Sequence, residues 1–269
     1  MRDIVYKLQD MTDLEWKERV SSSGTAGTYL KARTGTGAHM RYYKLPRFNG
    51  IELDGHECVN ELIASRLMRI LGIEHAEYRL LHASVLIDGV VHETWLNSSR
   101  NFRKPGERKI ALGTFYELFA NEGESPYDLC LRFGWGNELA KMVLVDYLMA
   151  NRDRHSSNIE VLTRDNTNFR LAPIFDTGFS LLAPMAGDLD WMLRFDPLKS
   201  VATTNFVGSR DLEANLRLVA PVEGIGELDY ESCAELLSGL DAVLSDVVLD
   251  KIWEIIWRRW QRYEEIRAD

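Results

Sequence analysis

Hydrophobic and polar positions follow two different rhythms along this chain. Between residues 29 and 100, short apolar runs are separated by turn residues. Tyr29–Arg33, the turn Thr34-Gly35-Thr36-Gly37 and the run His39–Pro46 predict one hairpin, and Val85–Val91 with Asp88-Gly89 at its centre predicts another. A single helix interrupts them, with apolar residues at 59, 62, 63, 67, 70 and 71 and Gly72 as its stop. The polar stretch Arg100–Gly113 contains Pro105-Gly106 and reads as a loop near a hinge. From about residue 114 the pattern turns helical, and Leu139, Met142, Val143, Val145, Leu148 and Met149 form one buried face ending near Asn151. Ile159–Leu162 and Phe169–Phe175 then predict a further hairpin across a turn-rich connection. The last helix carries Val247, Ile252, Ile255, Ile256, Trp260 and Tyr263 on one face, with Trp253 and Trp257 on an adjoining stripe, and this reads as packed core. The expected class is α+β, with a small β-rich N-lobe over 1–105 and a larger, mainly helical C-lobe over 106–269.

Composition narrows the class of function. With 269 residues and 45% apolar content the chain can bury a substantial core. A formal net charge of −9 provides no strong field towards nucleic acid or anionic lipid, so no direct nucleic-acid partner is expected. Cys58, Cys130 and Cys233 are odd in number and widely spaced, which suggests a reducing compartment. The first residues lack the apolar core of a signal peptide and no run of about 20 apolar residues occurs, so the expected location is cytoplasmic, with no membrane span. Effectors delivered by specialised secretion also often lack such a signal.

The chemistry concentrates in Asn151-Arg152-Asp153-Arg154-His155-Ser156-Ser157-Asn158 and in Phe175-Asp176-Thr177-Gly178. Asp153 is a candidate to orient and deprotonate an acceptor hydroxyl, while Asn158 and Asp176 offer the hard oxygen atoms that Mg²⁺ prefers. The hairpin between them would carry both to one end of a small sheet, and Gly178 would let the backbone bend beyond the carboxylate. By itself an Asp-Arg-His triplet is usually a solvated helix end with Arg154 facing water. Upstream, Ser21-Ser22-Ser23 and Gly24, Thr25, Ala26, Gly27 and Thr28 form a small-residue loop able to turn backbone N–H groups towards phosphate, although such runs are often mere linkers. Lys44 on the return strand is placed to reach phosphate oxygens, and Glu61 on the following helix is its expected partner, with Glu57 as a competitor. His155 is expected to bond a backbone carbonyl and brace the loop, or else to approach the γ-phosphate.

In this order, the Ser/Gly loop, Lys44, Asn60-Glu61-Leu62, the Asp153 loop and the Asp176 turn resemble the HipA-like serine/threonine kinases, bacterial enzymes of toxin–antitoxin modules and some secreted effectors with distant kinship to phosphoinositide kinases. The resemblance covers roughly residues 20 to 240. It implies a bilobal protein-kinase-like fold and an Mg-ATP-dependent protein kinase. It assigns Asp153 as the catalytic aspartate, Asn158 and Asp176 as Mg²⁺ ligands, and Lys44 and the residues Gly24 to Thr28 as ATP contacts. In that family a loop serine is autophosphorylated, and Ser22 or Ser23 would be its counterpart here. HipA toxins carry an additional N-terminal subdomain, whereas about twenty residues precede the loop here, so an antitoxin or a separate chain supplying that subdomain is an expected partner beside the protein substrate. Phosphoinositide-type lipid kinases share the Asp-Arg-His-x-x-Asn pattern and form the rival reading, less favoured by the acidic charge. A nucleotide-binding pseudokinase is the alternative from outside the enzyme class, although all three motif residues are present. After Ser180, the polar stretch to Asp211 occupies the position of an activation segment, or of a disordered connection.

Overall fold

The computed structural model describes residues 3–18 and 29–268. Six strands form one sheet: β1 (Ile4–Asp10), β2 (Lys17–Glu18), β3 (Leu30–Thr34), β4 (Arg41–Lys44), β5 (Tyr78–Ile87) and β6 (Val90–Arg100). Their spatial order is β1-β5-β6-β4-β3-β2. The β5–β6 turn places Asp88 at φ +50° and Gly89 at φ +81°, the paired left-handed conformation that an Asp-Gly dipeptide tolerates and a tight hairpin requires. At one edge β1 runs parallel to β5, a pairing that the N-terminal residues did not announce.

Helix α1 (Glu57–Ile70) is buried along nearly its whole length, because the sheet covers one side and the C-terminal helices cover the other. Its Arg66 is almost fully buried and forks onto Asp3 at 2.9 and 3.0 Å, while Nη1 donates to the carbonyls of Leu236 and Ser238. One guanidinium thereby fastens the start of the sheet to the far end of the chain. A smaller apolar cluster of Leu30, Tyr43, Leu45, Leu81, Val85 and Leu96 lies outside this main core.

The remaining chain builds α2 (Leu112–Phe119), α3 (Pro126–Arg132) and α4 (Gly136–Leu148), then α5 (Leu189–Arg194), α6 (Leu212–Val219), α7 (Ser232–Leu237) and α8 (Asp246–Ala268). A three-stranded sheet of β7 (Arg108–Ala111), β9 (Glu160–Thr163) and β10 (Phe169–Leu171) lies among them, and β8 (Asp153–Arg154) pairs in parallel with β11 (Thr204–Asn205). The architecture is mixed α and β, a β-rich sheet followed by a largely helical part.

Three expectations need correction. The stretch Arg100–Gly113 is a loop only in part: Arg108–Ala111 is a strand against β9, and α2 begins at Leu112. Its polar residues are satisfied across the pairing, Lys109 by Glu160 and Arg108 by Asn166, so the local polarity concealed a strand that exists only when β9 lies beside it. The segment after Ser180 is ordered, through α5 and the β8–β11 pairing. On α8, Val247 is exposed and Val248 buried, whereas Ile252, Ile255, Ile256, Trp260 and Tyr263 are core as expected.

Candidate active site

The strand lysine and the helix glutamate meet. In the β3–β4 ladder Lys44 lies opposite Lys31, and both ammonium groups reach Asp176: Lys44 Nζ at 2.6 Å from Oδ1 and Lys31 Nζ at 3.7 Å from Oδ2. Lys44 also lies 3.3 Å from Glu61 Oε1, and that carboxylate is fully buried. Glu57, the competitor, is occupied elsewhere, accepting from the Tyr29 hydroxyl at 3.1 Å and from the Arg47 amide at 3.3 Å. Burial alone would lower the pKa of Lys44, but Asp176 and Glu61 outweigh it and hold the ammonium well above its usual range. Burial likewise opposes the charge on Asp176, yet Lys44 and Lys31 keep that carboxyl far below the ordinary carboxylate range. Glu61 stays raised, because burial there exceeds what Lys44 returns.

The turn that carries Asp176 is shaped by α1. Asp176 has φ +55°, and its amide donates to the Tyr78 hydroxyl at 3.3 Å. Glu61 Oε2 accepts the Thr177 amide at 3.1 Å, and Asn60 Nδ2 donates to the carbonyls of Gly178 and Ser180 at 3.1 and 2.8 Å. The expectation for Gly178 needs revision: the left-handed residue is Asp176 itself, and Gly178 is required by proximity. A Cβ at Gly178 would stand 2.8 Å from the Glu57 carbonyl and 3.2 Å from Glu61 Cγ. Two more residues in the left-handed region, Ala150 at +49° and Leu181 at +48°, bracket the two motifs, and the Leu181 amide donates to Met149 O at 2.8 Å. Strain collected around one cleft is a mark of a functional site.

The Asp153 loop hangs on a buried ion pair. Arg154 does not face water; it is fully buried, forking onto Asp146 of α4 at 2.8 to 3.2 Å while Nη1 donates to the carbonyls of Asn158 and Phe175 at 3.0 and 2.7 Å. Asn151 Nδ2 donates to the same Asp146 at 2.8 Å. Asp146 and Arg154 therefore tie together the end of α4, the loop and the residue preceding Asp176. Asp153 is held differently. Its carboxylate is part-exposed, with Oδ2 3.7 Å from His155 Nε2. Burial, reinforced by the charge of Asp176 and opposed by His155, raises its pKa. His155 departs from expectation in one respect: Nδ1 accepts the Ser157 amide at 3.1 Å rather than bonding a carbonyl, which leaves Nε2 towards Asp153. The amide nitrogen of Asn158 donates to the Asp153 carbonyl at 3.0 Å, so its oxygen is the atom it can offer to a cation.

A divalent metal suits these donors. Asp176 supplies a carboxylate kept ionised, now neutralised by two ammonium groups, and Asn158 supplies an amide oxygen, both hard ligands. Among the described residues no group of three or more His, Cys, Asp and Glu side chains forms a metal cluster, and phosphate oxygens and water would complete the coordination. The candidate phosphate-loop residues Gly24, Thr25, Ala26, Gly27 and Thr28, and the serines Ser22 and Ser23, lie outside the described residues. Sequence reasoning gave no role to Lys31, Asn60, Tyr78 or Asp146. The alternation of β3 and β4 could have signalled Lys31, which falls directly opposite Lys44.

No family model and no curated protein matches the sequence. Among solved structures, the fold is similar to the crystal structure of a Helicobacter pylori proinflammatory kinase, CtkA, with a TM-score of 0.64 over 97% of each chain and 14% sequence identity. The chain thus has a kinase-like fold, and no helix among the described residues is long and apolar enough to cross a membrane.

Proposed function

We propose that this protein is a Mg-ATP-dependent kinase that transfers the γ-phosphoryl group to a serine or threonine hydroxyl of a protein, its own loop serines included. The observation that carries the reading is the contact of Lys44 with both Glu61 and Asp176, in a cleft where the Asp153 carboxylate faces His155. Lys44, oriented by Glu61, would neutralise phosphate oxygens. Asp176 and Asn158 would hold Mg²⁺, which supplies charge neutralisation for the leaving phosphates. Asp153 would orient the acceptor hydroxyl and take its proton as the new O–P bond forms and the bond to the leaving ADP breaks. His155, with Nε2 towards Asp153, would steady that carboxylate. The HipA-like assignment, an antitoxin or N-terminal partner chain and a toxin role belong to this reading as its finer parts, supported by motif order and spacing.

Transfer of label from γ-labelled ATP with Mg²⁺, compared between wild type and Asp153→Asn and mapped by mass spectrometry, tests it. Label on Ser22, Ser23 or a substrate hydroxyl that disappears in the variant is the expected result. Equal labelling of the two proteins would remove Asp153 from the chemistry. Transfer only to phosphoinositide vesicles would convert the reading to a lipid kinase, and nucleotide binding without any turnover to a pseudokinase.

A further inference from the structure

Strand β4 takes part in two like-charge pairs, one at each end. Lys44 stands opposite Lys31 of β3, and Arg41 stands opposite Arg100 of β6. Like charges directly across a ladder repel, so an anion beside either pair would stabilise it. The lysine pair has Asp176. The arginine pair has no carboxylate partner among the described residues.

The two pairs project to opposite faces of the sheet, since positions 41 and 44 on one strand differ by an odd number. Arg79 joins Arg41 and Arg100, because Arg79 lies opposite Ser98, two positions from Arg100 on β6. These three arginines, Arg69 from the last turn of α1 and the residues Ser98 and Ser99 line a hollow of about 330 Å³. Asp3 and Glu77 also line it. Asp3 is already engaged by Arg66 at 2.9 and 3.0 Å and by Arg69 at 3.7 Å, and Glu77 makes no ion pair with any arginine of the hollow. Arg79 Nε is buried without a hydrogen-bond partner among the described residues. A buried guanidinium nitrogen left unpaired is costly, and a planar fork of this kind is suited to phosphate oxygens.

We propose that this hollow is a phosphate-binding site, separate from the cleft, in which Arg41, Arg79 and Arg100 take the dianionic phosphate group of a phosphomonoester or of free phosphate, with Ser98 on the same face. The assignment stands on the cluster itself and does not depend on the kinase reading.

The direct test follows the Arg79 Nε–H signal by ¹⁵N NMR, identified by its loss in Arg79→Gln, during titration with inorganic phosphate and, separately, with O-phosphoserine. Saturable movement of that signal in wild type is expected, weakened about tenfold or more in Arg41→Gln/Arg100→Gln. Tighter binding of phosphoserine would point to a phosphorylated residue as the natural source, and equal binding to free phosphate. Phosphate bound only in the cleft would leave the signal still, and an unmoved signal up to tens of millimolar phosphate overturns the proposal. Thermal denaturation gives a second, independent readout. At matched ionic strength Arg100→Gln should melt no lower than wild type without phosphate, because repulsion is relieved, and below it with phosphate present. An equal loss under both conditions would make Arg100 a structural residue and overturn the proposal.

Discussion

Asp153 and Asp176 approach one cleft from two elements and are held in opposite ways. Asp176 is clamped: two lysines share its carboxylate, its amide bonds Tyr78, and the turn behind it is bonded to Asn60 and Glu61 of a buried helix. Asp153 is supported from below, by the Asp146–Arg154 pair under its main chain, while its carboxylate faces the imidazole of His155. A clamped carboxylate remains charged and in place, as a metal ligand must. A part-exposed carboxylate raised in pKa suits the exchange of a proton with a hydroxyl.

The sharpest break of this comparison is Asp153→Asn. Phosphate transfer should fall by about 10²–10⁴-fold, the usual contribution of a positioned acid or base, with stability to denaturant at neutral pH no lower than wild type, since a charge that burial disfavours is removed. Next comes Arg154→Met, which leaves Asp146 buried and unpaired. It should cost about 3–5 kcal/mol of stability in chemical denaturation and lower activity by loosening the loop. A melt equal to wild type would show that the loop does not depend on this pair. Gly178→Ala acts on the Asp176 side: its Cβ would press on the Glu57 carbonyl at 2.8 Å, and overpacking of this kind costs about 1–3 kcal/mol. Weakened Mg²⁺-dependent nucleotide binding should accompany it.

The smallest effect is on titration, and the two carboxylates give it opposite signs. The pKa of Asp153 is raised above 3.8 by burial, so folding takes up a proton between 3.8 and the raised value and stability falls as pH rises through that interval. The pKa of Asp176 is lowered by Lys44 and Lys31 against its burial, so its contribution is complete above 3.8 and is lost as pH falls below it. In the protein without nucleotide, the carboxyl ¹³C signal of Asp153 should therefore titrate above 3.8, and Asp176→Asn should move that midpoint down. A midpoint at or below 3.8 in wild type would contradict the contrast.

Much of the framework was legible locally. Helix α1 follows from its apolar spacing and from Gly72, which ends it at φ +66°, and the Asp88-Gly89 hairpin follows from the only backbone those residues make easy. The hairpin joining Asn158 to Asp176 also forms where the turn residues placed it. Strand β7 was not legible, because its partner β9 lies about fifty residues further on. The solvated helix end that a lone Asp-Arg-His triplet suggests does not apply to Arg154, because nothing in a triplet reveals the buried aspartate eight residues upstream.

What the sequence alone determined is the local grammar: the periods, the turns and the spacing of Lys44, Asp153, Asn158 and Asp176, all set by backbone preferences over a few residues. Tertiary structure decided which carboxylate Lys44 takes, that Lys31 joins it, that Gly178 is a matter of space rather than of dihedral freedom, and that Arg41, Arg79 and Arg100 line one hollow. Each of these depends on groups brought together from distant parts of the chain, where burial strips water from charges and makes the identity of the nearest partner the deciding quantity.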